Sequence, residues 1–394
     1  MLMGELKTLI RGNLRQYGMI MILVIITGFF QITTGGVLLL PQNVFNLVQQ
    51  NAFVVVLSVG MMICILTGGN IDLSVGSMVA FVGAVAGALM IGQGMSVPLA
   101  IAICLGAGLL AGAWHGFWIS RYAIPSFIAT LSGMLIFRGL TFTVLRGRTY
   151  FSYPESFLAL STGYLTDYLG ANTGFNFNLT TVVLGVVFSA VFVVMELVKR
   201  GKRNKHGIAQ LSMPFFLSKL VLISAVIILF MYQVAVFRGM PIVLIPVGII
   251  VVVYSYIMNN TVAGRYVYAV GGNQKAAHLS GINVRKVMFF TYVNVAFLSA
   301  LAGLIFTARL NSASPMAGQG FELDAIAACF IGGASARGGV GTIGGAVIGA
   351  LIMGLLNNGM SILGVSADMQ MAIKGLVLLL AVFMDLAQKN KTKA

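Results

Sequence analysis

Long apolar runs recur along the whole chain, and they limit what it can fold into more than any other feature. They fall at 18–39, 50–68, 73–92, 97–119, 125–145, 178–197, 213–237, 241–258, 287–307, 342–363 and 369–386, with a short one at 323–334. A helix needs about 20 apolar residues to cross a bilayer and satisfies every backbone group internally. A transmembrane barrel would instead show short segments alternating apolar and polar. The runs here are continuous, so the expected class is all-α: a polytopic integral membrane bundle of about 10–12 transmembrane segments. The short run cannot cross alone, which predicts some broken or re-entrant segments. Composition agrees, because only 8% of residues are charged, against roughly 25% in soluble domains.

The net charge of +15 does not point to nucleic acid. Lys and Arg gather in alternate loops, as membrane orientation requires. With the N-terminus inside, the inside segments hold Lys7, Arg11, Arg15, Arg121, Lys199, Arg200, Lys202, Arg203, Lys205, Arg265, Lys275, Arg285, Lys286, Arg337, Lys389, Lys391 and Lys393. The outside loops hold only Arg146, Arg148, Arg238 and Arg309. Both termini are therefore expected to be cytoplasmic. The basic N-terminus leads into a first membrane helix rather than a removed signal peptide, because no small-residue cleavage site follows it. One transmembrane domain is expected over 1–394. It carries an external loop at 146–177, a basic cytoplasmic loop at 198–210 that would also attract anionic lipid, and a patterned inside loop at 259–286.

No catalytic constellation is visible. Gly201-Lys202 lacks the preceding glycine of a phosphate loop, and His115, His206 and His278 are far apart in sequence. Cys64, Cys104 and Cys329 sit in apolar runs without metal-ligand spacing and read as buried thiols. His115 reads as a packed core histidine among the close-approach glycines 108, 112 and 116. The chain is not expected to be an enzyme.

Polar residues at membrane depth are costly and are the candidates for a translocation path. They are Asn70, Asp72 and Ser74 in TGGNIDLSVGS; Asn311, Gln319, Glu322 and Asp324 in RLNSASPMAGQGFELD; and Asn357 with Asn358. Asn70 or Asp72 is expected either to cap a helix beginning at Leu73 or to contact substrate, with capping favoured. Residues 71–84 echo 321–334, aligning Asp72 with Glu322, as an inverted repeat would. In the 259–286 loop, Asn273 is placed to cap a short helix QKAAHLS that Gly281 would end. Such a helix suits docking of a cytosolic protein better than a plain connector does.

Three segments in order, TGGNIDLSVGSM, AVGGNQKAAHLSGINVRKV and ARLNSASPMAGQGFELDAIAACFIGGASARGGVGTIGGAVIGALIMGLLNNGMSILGV, resemble the permease subunits of bacterial carbohydrate ABC importers. The ribose, galactose and xylose class is the nearest group, and the extra stretch near 198–240 is similar to the xylose layout. The resemblance implies an inner-membrane homodimer working by alternating access. It implies a cytosolic ATPase that holds ATP and Mg, with no cofactor on this chain, and a periplasmic sugar-binding protein. The ATPase contact would then fall on Gly264, Arg265, Asn273, Gln274, Lys275, His278, Ser280, Gly281 and Arg285. Gln274 and Lys275 depart from the acidic character of many relatives. The alternative class is an ion-coupled secondary transporter using Asp72, Glu322 or Asp324. A channel or structural subunit is a further one.

Overall fold

A computed structural model describes residues 14–170, 174–205 and 212–391. Lys7, Arg11 and Lys393, which entered the charge reading, and His206 lie outside the described residues, as does the 206–210 part of the basic loop. The helices in chain order are α1 (Leu14–Thr33), α2 (Pro41–Leu66), α3 (Val75–Gly87, extended by a wider turn over Ala88–Gly92), α4 (Val97–Tyr122), α5 (Ser126–Leu145), α6 (Glu155–Thr162), α7 (Leu179–Lys205) and α8 (Met213–Phe237). They continue with α9 (Leu244–Asn260), α10 (Val262–Gly272), α11 (Gln274–Leu279), α12 (Val284–Leu310), α13 (Phe321–Ile331), α14 (Ile343–Ile362) and α15 (Ala367–Lys391).

Among the described residues, 8 helices are long and apolar enough to cross a membrane, or up to 9 if α9 and α10, bent by 70° at Thr261, form one span. The apolar segment Gly18–Thr33 falls short of that length. At 11 residues, α13 is a partial span. An α-helix rises about 1.5 Å per residue, so α13 reaches only part-way through hydrocarbon about 30 Å thick.

The bundle is built around α2. In its most apolar window 89% of residues are buried, against 17% in α7. Around it pack α12, α13 and α14, while α12 also lies along α3 and α4. Small residues set these distances: a Cβ at Gly112 would come within 2.6 Å of Val293 Cα, and one at Gly116 within 2.9 Å of the Phe289 carbonyl oxygen. The α7–α8 hairpin is peripheral. Its two helices pack chiefly on each other, and α8 alone leans on α2. Phe45 of α2 meets Phe237 of α8 edge-on at 5.3 Å, so the hairpin's connecting end lies at the Leu66 end of the bundle.

The described residues of the loop at 146–177 form a folded cover over the opposite end. Its strand β1 (Tyr150–Phe151) pairs antiparallel with β2 (Ser312–Ala313), in register Tyr150↔Ala313. From the same loop, Tyr153 donates its hydroxyl to the Gly83 carbonyl at 3.0 Å. Its backbone N–H donates to Asn311 Oδ1 at 2.8 Å. Asp167 starts α7 from outside by accepting from the N–H groups of Gly170, Leu179 and Thr180 and from the Thr180 hydroxyl. Desolvation pushes its carboxyl upward, but the Thr180, Leu179 and Gly170 hydrogen bonds outweigh it and hold the group down at about 2.

Candidate functional site

Two interruptions of helix define the polar interior. The first, Thr67–Ser74, follows α2. Gly68 and Gly69 take φ of 120 and 75, which end the helix in a conformation side chains disfavour. Asn70 spans the break: its Nδ2 donates to Thr67 O at 3.1 Å, and its Oδ1 accepts from Ser126 Oγ of α5 at 2.9 Å. Asp72 is fully buried. Its Oδ1 accepts from the Ser74 N–H at 2.8 Å and from the Ser74 hydroxyl at 2.6 Å. Its Oδ2 has no hydrogen-bond partner among the described residues.

This corrects the expectation of a cap on a helix starting at Leu73. The helix starts at Val75, Ser74 stands at the N-cap, and no side chain caps it. Asp72 instead folds the two residues before the helix into a local turn, an alternative that short polar side chains routinely offer the backbone.

The second interruption, Asn311–Gly320, precedes α13. Asn311 ends α12 with φ of 51 and is taken up by Tyr153. Arg138 of α5 reaches into the break and donates Nη1 to the carbonyls of Pro315 at 2.8 Å and Ala317 at 2.6 Å. Gln319 is exposed. Glu322 stands in the first turn of α13 against α3, since a Cβ on Gly76 would strike both Glu322 Oε2 and the Gly318 carbonyl. The two helices that begin after breaks therefore meet near their starts, glycine against glycine.

Asp324 is held in an ion pair. Lys374 of α15 lies 3.1 Å from both of its carboxylate oxygens and donates to Oδ2. Asn358 forms a mutual amide pair with Asn43 of α2, at 2.9 and 3.1 Å. Asn357 is half-buried one residue away. Thus Asn70, Asp72 and Ser74 come together at the first break. Glu322 joins the start of α3, and Asp324 and Asn358 tie α13 and α14 to α15 and α2. Asn311 stands apart at the cover. His115 is fully buried, with ring contacts to Trp114 and Phe137. Lys374, Arg138 and Asn43 were not among the path candidates, although Lys374 and Arg138 were legible as charges inside apolar runs.

The 259–286 segment holds two helices, α10 and α11, rather than one. Thr261 accepts from the Gly264 N–H at 3.4 Å at the start of α10, and Asn273 accepts from the Ala276 N–H at 3.0 Å at the start of α11. Asn283 accepts from the Lys286 N–H at 3.0 Å and opens α12. Arg265, Asn273, Gln274, Lys275, His278, Ser280, Gly281 and Arg285 are all exposed, and Gly264 is buried. The α10 end sits on the bundle through main chain. A Cβ on Gly271 would run into the Leu66 carbonyl and the Gly339 N–H. Gly339 itself donates to Leu66 O at 3.0 Å, and Tyr268 donates its hydroxyl to Gly341 O at 2.9 Å. The end of α2, the loop after α13 and the approach to α11 thus form one junction at the lip of the first break.

This architecture has sequence relatives. A family model described as branched-chain amino acid transport system / permease component matches residues 43–202 and 155–382. The chain belongs to this permease family. The permease is 37% identical over 379 residues to the xylose transport system permease protein XylH of Haemophilus influenzae, covering 96% of this chain and 98% of that one. It is 39% identical over 380 residues to XylH of Escherichia coli K12, covering 96% and 94%. It is 37% identical over 344 residues to the ribose import permease protein RbsC of Escherichia coli K12, covering 87% and 85%. No solved structure matches the permease.

Proposed function

We propose that this permease is the non-catalytic membrane subunit of an ATP-driven sugar importer, with a pentose such as xylose as substrate. Two copies form the translocation path, a cytosolic ATPase binds ATP and Mg, and a periplasmic binding protein delivers the sugar. The subunit lies in the bacterial inner membrane in contact with lipid, with both termini cytoplasmic. The observation that carries this reading is the exposed helix α11, joined by Gly271 and Gly272 to the lip of the first break. An ATPase pressing on Lys275 and its neighbours moves α10. Its main-chain contacts with Leu66 and Gly339 pass that displacement to α2 and to the loop after α13. The polar groups at the breaks, most of them partnered within the chain, shape the path and hold sugar only weakly.

An ion-coupled carrier is disfavoured because Asp324 is paired with Lys374 and Asp72 is buried in its own turn. The test is uptake by the permease reconstituted with its ATPase and binding protein. Transport is expected to need ATP hydrolysis and to persist when the proton gradient is collapsed with ATP maintained. Loss of uptake under that collapse, or failure of a crosslinker at Lys275 to capture an ATPase, overturns the proposal.

A further inference from the structure

The α7–α8 hairpin adds little to the core, yet its connecting end gathers five cations, Lys199, Arg200, Lys202, Arg203 and Lys219, in one place. The last turns of α7 and the first two turns of α8 enclose an open cleft of about 500 Å³. Lys199, Arg200, Lys202 and Arg203 line it from α7, and Lys219 lines it from α8. The one acid there, Glu196, is shared: Lys219 Nζ lies 2.6 Å from its Oε2 and Lys199 Nζ 3.6 Å from its Oε1. Among the described residues no carboxylate pairs with Lys202 or Arg203. The Arg200 guanidinium stacks 4.4 Å over the Phe216 ring, which fixes a planar donor at the wall of the cleft. Five cations held around one acid leave a site of strong positive potential with several side chains already ordered.

The surroundings say what kind of anion fits. Beside the cleft and just past it the same two helices expose apolar side chains: Leu197 and Val198 on α7, Leu217, Val221 and Leu222 on α8. A soluble phosphate or an acidic protein surface would leave these side chains uncovered. An amphiphile with an anionic head covers both parts. We propose that this cleft binds the phosphodiester headgroup of an anionic phospholipid, with the acyl chains lying along α7 and α8. The lipid comes from the cytoplasmic leaflet, an assignment that rests on the orientation given above; the binding itself requires only that the hairpin be in a membrane. The cation-ringed cleft makes this a local site rather than a diffuse attraction to the membrane surface.

Native mass spectrometry of the full-length permease from nanodiscs of phosphatidylglycerol and phosphatidylcholine in equal amounts tests it. Wild type is expected to retain phosphatidylglycerol preferentially, and Lys202→Gln with Arg203→Gln to lower that preference about 25-fold, about five-fold for each cation removed. Removing the same charge from the tail, Lys389→Gln with Lys391→Gln, is expected to leave it within two-fold or so. Equal losses in both variants, or none in either, overturn the proposal. So does displacement of the lipid by inorganic phosphate, which would make this a free-anion site. A cleft variant that keeps its lipid preference but loses its ATPase partner on purification would make the cleft a protein-docking surface instead. The retention readout needs no transport, so it fails separately from the importer reading.

Discussion

The two helix breaks do the same structural job by different means. Both interrupt an apolar run, both precede a helix that begins within the bundle, and both place an acid beside that start. The first closes mostly on itself: Asn70 returns to Thr67 and Asp72 to Ser74, while neutral side chains reach it from other helices, Ser126 and Thr130 from α5 and Met288 from α12. The second is closed from elsewhere. Arg138 arrives from α5 to take the Pro315 and Ala317 carbonyls, and Lys374 arrives from α15 to take Asp324. A break satisfied by neighbours in sequence can keep its shape while the bundle moves around it. One satisfied by cations from two other helices is bound to their positions, so α13 should move with α5 and α15 or not at all.

Removing one partner of the buried pair should do the most damage. Lys374→Met leaves Asp324 uncompensated and is expected to cost about 3–5 kcal/mol, read as thermal unfolding in detergent. The double change Asp324→Leu with Lys374→Met should recover most of that. A single variant within about 1 kcal/mol of wild type would erase the contrast between the breaks. Next, Asp72→Leu strands the Ser74 N–H and hydroxyl and is expected to cost about 1–3 kcal/mol, with reduced assembly. Asp72→Asn keeps an acceptor for Ser74 and should stay within about 1 kcal/mol while retaining most transport. If both Asp72 variants assemble normally and neither transports, the carboxylate charge is required and the local-turn account of the first break is wrong.

The smallest effect lies outside both breaks. Asp167 sits at about 2 rather than its ordinary 3.8. Its support of the α7 start is therefore complete above 3.8 and is lost as the pH falls through about 2. Hydrogen exchange at Gly170, Leu179 and Thr180 should quicken across that window. Asp167→Asn should abolish the dependence, and an unchanged profile would show that these amides are held by something else.

The contrast also explains what the sequence made legible. Run length and continuity gave most helices to within a few residues, because apolar length is a local property. The start of α2 at Pro41 was missed since Gln42, Asn43, Asn46 and Gln49 interrupt its apolar run. Asn43 donates to the nearby Leu38 carbonyl, but its side-chain partner is Asn358, which lies 315 residues away. The Asn273 cap of α11 was readable because donor and acceptor lie three residues apart. Helix α10 was not, because its fit to the bundle depends on glycines meeting distant backbone. The acids were visible at once, but their roles were not: only the fold reveals that Lys374 belongs to Asp324, while Asp72 makes no ion pair among the described residues.

The glycine junction has a mechanical consequence. Side chains that meet across an interface can absorb a push by changing rotamer, so part of any movement is lost as slack. At Gly271, Leu66 and Gly339 main chain bears directly on main chain, and there is no rotamer to yield. The joint behaves like a bearing without play: whatever distance α10 travels, the end of α2 and the loop after α13 must travel too.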